Sequence, residues 1–122
     1  MNEILFVVGT RPELIKIRSV LLEVMRRELK YTLIHTGQHY DYNMSNIFFK
    51  ELGLPLPDKF LEISSGTQAE QTAEGLIKLE KILLQNKPSL VVVLGDTNTT
   101  LIGALSAVKV GIPVAHIEAG VR

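Results

Sequence analysis

The sequence contains no cysteine. That absence removes disulfide frameworks, thiolate zinc sites, iron–sulfur clusters and cysteine nucleophiles. It also lacks an excess of either charge, with 13 Lys+Arg against 13 Asp+Glu. Proteins built chiefly for nucleic acid or an anionic membrane carry a basic surplus, so neither is expected as a partner. No apolar run approaches the roughly twenty residues of a membrane span. Met1-Asn2-Glu3 has no basic lead-in, and the apolar run behind it stops at Val8, so no secretory signal is expected and a cytoplasmic location is the default. Repeats, low-complexity stretches and Pro/Gly/Ser linkers are missing too. The 122 residues therefore read as one domain, 1–122. No Gly-x-Gly-x-x-Gly follows the first strand and no P-loop is present, so neither a dinucleotide cradle nor a Walker-type phosphate site is indicated.

What is present is an alternation of apolar strands and amphipathic helices. Ile4 to Val8 and Leu90 to Leu94 are continuous apolar runs, the pattern of strands buried on both faces. Pro12 opens a helix whose Leu14, Ile17, Leu21 and Val24 form a core-facing stripe. Tyr31 to Thr36 reads as a second strand, Met44 to about Gly53 as a short helix with Met44, Phe48 and Phe49 in the core, and Phe60 to Ile63 as a short third strand. Thr67 and Glu70 have capping-box spacing at the head of a long helix. Thr97 or Asn98 caps the next helix, expected to be well buried and to approach a neighbour closely at Gly103, and Pro113 to Ile117 is the last strand. This order predicts an α/β, Rossmann-like, doubly wound parallel sheet with strands in the order 3-2-1-4-5.

In such a sheet ligands bind beyond the carboxyl ends of the strands. Four loops deliver polar residues to that rim: Thr10, Arg11 and Lys16; Gln38, His39 and Asp41; Asp96, Thr97 and Asn98; and His116, Glu118 and Arg122. Cations on a helix's first turn oppose its dipole, which a bound phosphate or carboxylate would offset, so Arg11 and Lys16 favour anion binding. Asp96 taken alone reads as a helix N-cap. His116, inside an apolar strand, reads as a hydrogen-bonded core histidine. The mean hydropathy of +0.21 is high for a stand-alone domain, which points to surface meant for a further domain and a second copy.

Gly9-Thr10-Arg11-Pro12-Glu13, Thr36-Gly37-Gln38-His39, Gly95-Asp96-Thr97-Asn98-Thr99 and His116-Ile117-Glu118-Ala119-Gly120-Val121-Arg122 together resemble the successive motifs of the non-hydrolysing UDP-N-acetylglucosamine 2-epimerases. Hydrolysing relatives typically carry different residues in the first, third and last of these stretches. The resemblance implies the N-terminal half of a two-domain, GT-B-like fold related to UDP-glycosyltransferases and glycogen phosphorylase, with the UDP-binding second domain outside this chain. It implies interconversion of UDP-N-acetylglucosamine and UDP-N-acetylmannosamine through elimination of UDP, a 2-acetamidoglucal and re-addition of UDP. By position, Asp96 and Glu118 become the catalytic carboxylates, Arg11, Lys16, Asn98 and Arg122 bind substrate, and Gln38 and His39 match an allosteric loop. No metal or other cofactor is implied; the implied partners are a UDP-sugar, the second domain and a second copy in a homodimer. The chain alone is expected to be inactive. The alternatives are a non-catalytic Rossmann-like ligand-binding module, an epimerase for a related UDP-diacetamido sugar, and a retaining glycosyltransferase domain.

Overall fold

The computed structural model of the chain describes residues 3–37 and 42–119, side chains at 42–45 excepted. Nine elements alternate: β1 (Glu3–Val8), α1 (Arg11–Arg26), β2 (Lys30–His35), α2 (Tyr42–Glu51), β3 (Lys59–Phe60), α3 (Gln68–Asn86), β4 (Leu90–Leu94), α4 (Asn98–Lys109) and β5 (Val114–Ile117). All strands pair in parallel, in the order β3-β2-β1-β4-β5. That is the doubly wound arrangement the alternation predicts.

The two apolar strands at the centre explain why their sequences do not alternate. Leu5, Val7, Val91 and Val93 point to one face, where they meet Leu79, Ile82 and Leu83 of α3 and Ile102 of α4. Phe6, Val8, Val92 and Leu94 point to the other, against Leu14, Ile17, Leu21 and Val24 of α1 and Phe49 of α2. Each strand residue thus meets a helix layer whichever way it faces. Leu5 to Val8 are at most 1% exposed, and each such side chain contributes roughly 1.5–3 kcal/mol relative to solvent exposure.

Several expectations are corrected at element edges. Helix α1 begins at Arg11, because Thr10 is its extended N-cap, and Pro12 stands one residue inside. The third strand shrinks from Phe60–Ile63 to Lys59–Phe60. Glu62 adopts φ +56, a left-handed conformation that ends extended pairing, while Lys78 Nζ donates to the carbonyls of Leu61 and Glu62. Helix α4 is less buried than its composition implies: Leu101 is 52% and Val108 64% exposed. Its inward face is instead lined by Thr99, Thr100, Ile102, Gly103, Ser106 and Ala107. Gly103 does permit close approach, since a Cβ there would lie 2.5 Å from Val93 Cγ1. Phe49 is fully buried and Phe48, half-buried, packs against the same core cluster, while the Met44 side chain lies outside the described residues.

Candidate functional site

Parallel strands all end on the same side of the sheet, so the loops after β1, β4 and β5 share one rim. The first is built around Glu13. Thr10 accepts from the Glu13 backbone N–H at 3.3 Å, and Glu13 Oε1 accepts from the N–H groups of Gly9 and Thr10 at 2.8 and 3.0 Å. This reciprocal box fixes where α1 starts. Arg11 then stands at the first helical position, exposed, with its guanidinium 5.0 Å from the centre of the Phe48 ring. Among the described residues it has no carboxylate partner. Together with Ile47, Phe48 and Glu51 it lines an open pocket.

Lys16, one turn further, is not free. Its Nζ donates to Glu118 Oε1 at 3.1 Å, joining residues 102 apart in sequence. With the two side chains 53% and 35% exposed, this pair contributes under about 1 kcal/mol to stability. Its interest is positional. The uncompensated first-turn charge anticipated for α1 is thus half corrected: Glu13 supplies an anion at the helix start, and Lys16 already has a counter-charge.

The β4 and β5 loops are held in register by backbone. Gly95 N–H donates to the Ile117 carbonyl at 3.0 Å, and the Gly95 carbonyl meets His116 Nε2 at 2.6 Å. Asp96 and Glu118 directly follow Gly95 and Ile117, so the two carboxylates leave neighbouring strand ends. Two turns in the left-handed region make this possible. Gly95 has φ +81, where a side chain would be strained; Glu118 has φ +65 despite having one. A non-glycine residue held there costs on the order of 1 kcal/mol, a feature that clusters at functional sites.

Two readings of the sequence change here. Asp96 is not the N-cap of α4; that position is Thr97. Asp96 is instead exposed in the turn, with no hydrogen bond or ion pair to another described residue. His116 is hydrogen-bonded as expected but exposed, not a core residue. Asn98, at the head of α4, accepts from Thr72 Oγ1 at 2.9 Å and lines a small polar pocket with Thr36, Gln71 and Thr99. Gln38, His39, Asp41 and Arg122 lie outside the described residues.

Glu13 was not among the candidate site residues read from the sequence. It is 4% exposed, and its second oxygen accepts from Thr97 Oγ1 at 2.6 Å. The signal was legible: Thr10-x-x-Glu13 has the same capping-box spacing as Thr67-x-x-Glu70. The bridge to Thr97 was not, because it spans 84 residues. Beneath it, the Thr36 and Thr99 hydroxyls share a buried 3.1 Å hydrogen bond. Gly9 passes so close that a Cβ would lie 2.5 and 2.3 Å from their oxygens.

Comparison with known proteins places this geometry. A family model described as UDP-N-acetylglucosamine 2-epimerase matches residues 23–122. The UDP-N-acetylglucosamine 2-epimerase of Methanocaldococcus jannaschii is 53% identical over 95% of this chain and 32% of its own length. A Pseudomonas aeruginosa UDP-2,3-diacetamido-2,3-dideoxy-D-glucuronate 2-epimerase is 47% identical over 98% of this chain and 34% of its own. A crystal structure of the M. jannaschii UDP-GlcNAc 2-epimerase in complex with UDP-GlcNAc and UDP superposes with a TM-score of 0.90 at 51% identity, covering 98% of this chain and 33% of that one. The chain spans about a third of the length of the curated relatives it matches.

Proposed function

The chain belongs to the UDP-N-acetylglucosamine 2-epimerase family, and from that premise we propose that it is the N-terminal domain of a GT-B-like enzyme inverting C2 of a UDP-linked N-acetylhexosamine. Residues 1–122 form its Rossmann-like half, and the second domain supplies most of the UDP site. The reaction begins when a base removes the C2 proton and the C1–oxygen bond to UDP breaks, leaving a 2-acetamidoglucal. A proton then returns to C2 from the opposite face and UDP re-adds at C1. Two proton-handling groups on opposite sides of one carbon, and cations for the departing diphosphate, are what this chemistry requires.

The rim offers such groups. Asp96 and Glu118 are the carboxylates assigned to proton transfer or to stabilising the positive charge developing on the sugar. Arg11, Lys16, Asn98 and Arg122 are assigned to substrate, Arg11 and Lys16 to phosphate or leaving-group charge once Lys16 exchanges Glu118 for it; Gln38 and His39 belong to a loop assigned to an activating second UDP-sugar. The observation that carries the reading is the pairing of Lys16 with a left-handed Glu118 beside Asp96. It gathers three loops at the rim where the family's motifs meet.

The test is proton NMR of the sugar. The complete enzyme carrying this domain should convert UDP-N-acetylglucosamine to the manno epimer, and the 122-residue chain alone should not. A complete enzyme without C2 inversion on any UDP-N-acetylhexosamine would overturn the proposal. The 47% identity to the diacetamidoglucuronate epimerase favours a second substrate reading, and offering both UDP-sugars side by side decides between them.

A homodimer is proposed as well. Ile77 and Leu84 on α3, and Leu101 and Val108 on α4, are all more than half exposed. The seven-residue spacing lines each pair along one side of its helix. Size-exclusion chromatography should give a dimer; a clean monomer at high concentration would contradict it. The proposed setting is the cytoplasm, in building cell-envelope polysaccharide.

A further inference from the structure

Thr97 holds the N-cap position of α4, where it forms a capping box with Thr100 and its Oγ1 lies 3.4 Å from Thr100 Oγ1. The hydroxyl proton goes to another helix, donated to Glu13 at the head of α1. An N-cap threonine ordinarily stabilises its own helix. Here the backbone N–H of Thr97 is answered by Thr100 Oγ1 at 3.2 Å, and Thr100 Oγ1 in turn donates to the Leu94 carbonyl at 2.7 Å. Thr100 and Thr97 together close the start of α4, and the proton of the Thr97 hydroxyl ties that start to the head of α1.

Glu13 uses its whole carboxylate. One oxygen holds the Gly9 and Thr10 amides, and so the position of Arg11; the other holds Thr97, the residue after Asp96. Because Glu13 is 4% exposed, this bridge is shielded from water, where a charge-assisted hydrogen bond is strongest. Asp96 itself has no described partner to fix it. Its placement relative to Arg11 rests on the two residues that bracket it: Gly95, tied to Ile117 and His116, and Thr97, tied to Glu13.

We propose that Glu13 and Thr97 are positioning residues, a buried brace that sets the Asp96 turn against the Arg11 end of α1 and so aligns proton transfer with departure of the leaving group. The proposal rests on the reading of Asp96 as a catalytic carboxylate. Neither brace residue need touch substrate. Loss of the brace should lower the rate of the chemical step and leave substrate binding largely intact.

The experiment is a kinetic series in the complete enzyme. Thr97→Val removes the hydroxyl with little change of shape, Thr97→Ser restores it, and Asp96→Asn serves as the control for the reading itself. The expected result is a kcat about 10- to 100-fold lower for Thr97→Val, the scale on which misplacement of a reacting group acts. KM should change by less than about twofold, because only a transition-state interaction is lost. Thr97→Ser should recover most of the rate. Glu13→Asp, too short to reach both amides and Thr97, should lose at least as much kcat as Thr97→Val, and the double variant should be no worse than Glu13→Asp alone. If Thr97→Val does not fold, Thr97→Ala makes the same comparison. Wild-type kcat in Thr97→Val beside a crippled Asp96→Asn would overturn the brace and leave the catalytic reading standing. Equal loss in the Ser and Val variants would overturn it as well, since the hydroxyl would then not be the determinant. Wild-type kcat in Asp96→Asn would overturn the reading of Asp96, and the brace with it.

Discussion

Replacing Gly103 by alanine sets two well-defined effects against each other. Gly103 lies inside α4, where alanine is favoured over glycine by about 0.8–1.0 kcal/mol on propensity alone. Propensity therefore predicts a more stable protein. The structure predicts the reverse. A Cβ would lie 2.5 Å from Val93 Cγ1 and 3.4 Å from Val7 Cβ, whereas carbon atoms normally rest about 3.5–4.0 Å apart. Val93 is 0% exposed in β4, and a β-branched side chain in a strand has few other rotamers to take. Helix and sheet must therefore separate locally by about 1 Å, which falls in the overpacking range of roughly 1–3 kcal/mol. The two terms combine to a destabilisation of up to about 2 kcal/mol, with about 1 kcal/mol the central value. In a domain of this size that lowers Tm by about 4 °C. Gly75→Ala is the internal control. The nearest atom there, at 2.6 Å, is the terminal Cδ1 of Ile102, which can rotate away, but Cγ1 and Cγ2 at 3.1 Å must still give, so Gly75→Ala should be destabilised less than Gly103→Ala. Thermal unfolding followed by far-UV circular dichroism measures both. A rise in Tm for Gly103→Ala would refute the close approach of α4 to the sheet.

Other outcomes follow from the same geometry. Ser106 Oγ is buried with no hydrogen-bond partner among the described residues, so Ser106→Ala should raise stability by about 1 kcal/mol, read as a higher Tm. Lys16→Ala should cost under about 1 kcal/mol of stability yet weaken UDP-sugar binding markedly in the complete enzyme, as isothermal titration would show. Acid should destabilise the fold in a defined window. Arg26 and then Arg27 hold the Glu23 carboxyl down at about 2, and hydrogen bonds from the Thr67 backbone and side chain lower that of Glu70. Carboxyls lowered in the folded state add stability above their unfolded pKa of about 4.3 and lose it as pH falls through the folded value. Tm should therefore fall from about pH 5 downward, and less steeply in Glu70→Gln, which cannot titrate.

The fold was legible because its signals were local. Continuous apolar runs identified β1 and β4, the stripe Leu14, Ile17, Leu21, Val24 named every buried residue of α1 but Glu13, and alternation predicted the strand order. The boundaries that moved did so for reasons periodicity does not carry, such as the left-handed turn at Glu62 that cuts β3 short. The exposed Leu101 and Val108 were misread because apolar composition does not say which side of α4 meets the sheet. At the rim, the loops were found but their pairings were not. Lys16 meets Glu118 across 102 residues and Glu13 meets Thr97 across 84, distances at which spacing rules carry no information. Asp96 shows the same limit from the other side. Its place before α4 also suits an N-cap, and the φ and ψ of Thr97 decide for Thr97, one of the two caps the sequence offered beside it.

The central claim is that this rim handles the proton at C2 of a UDP-linked sugar. It is tested most directly by incubating the complete enzyme with UDP-N-acetylglucosamine in D2O and following deuterium at C2 by NMR. The wild-type enzyme should incorporate deuterium there as the manno epimer forms. Asp96→Asn and Glu118→Gln should each slow that exchange about 100-fold or more, the scale of a lost acid or base, while circular dichroism stays native. Exchange at the wild-type rate in both variants would contradict the account.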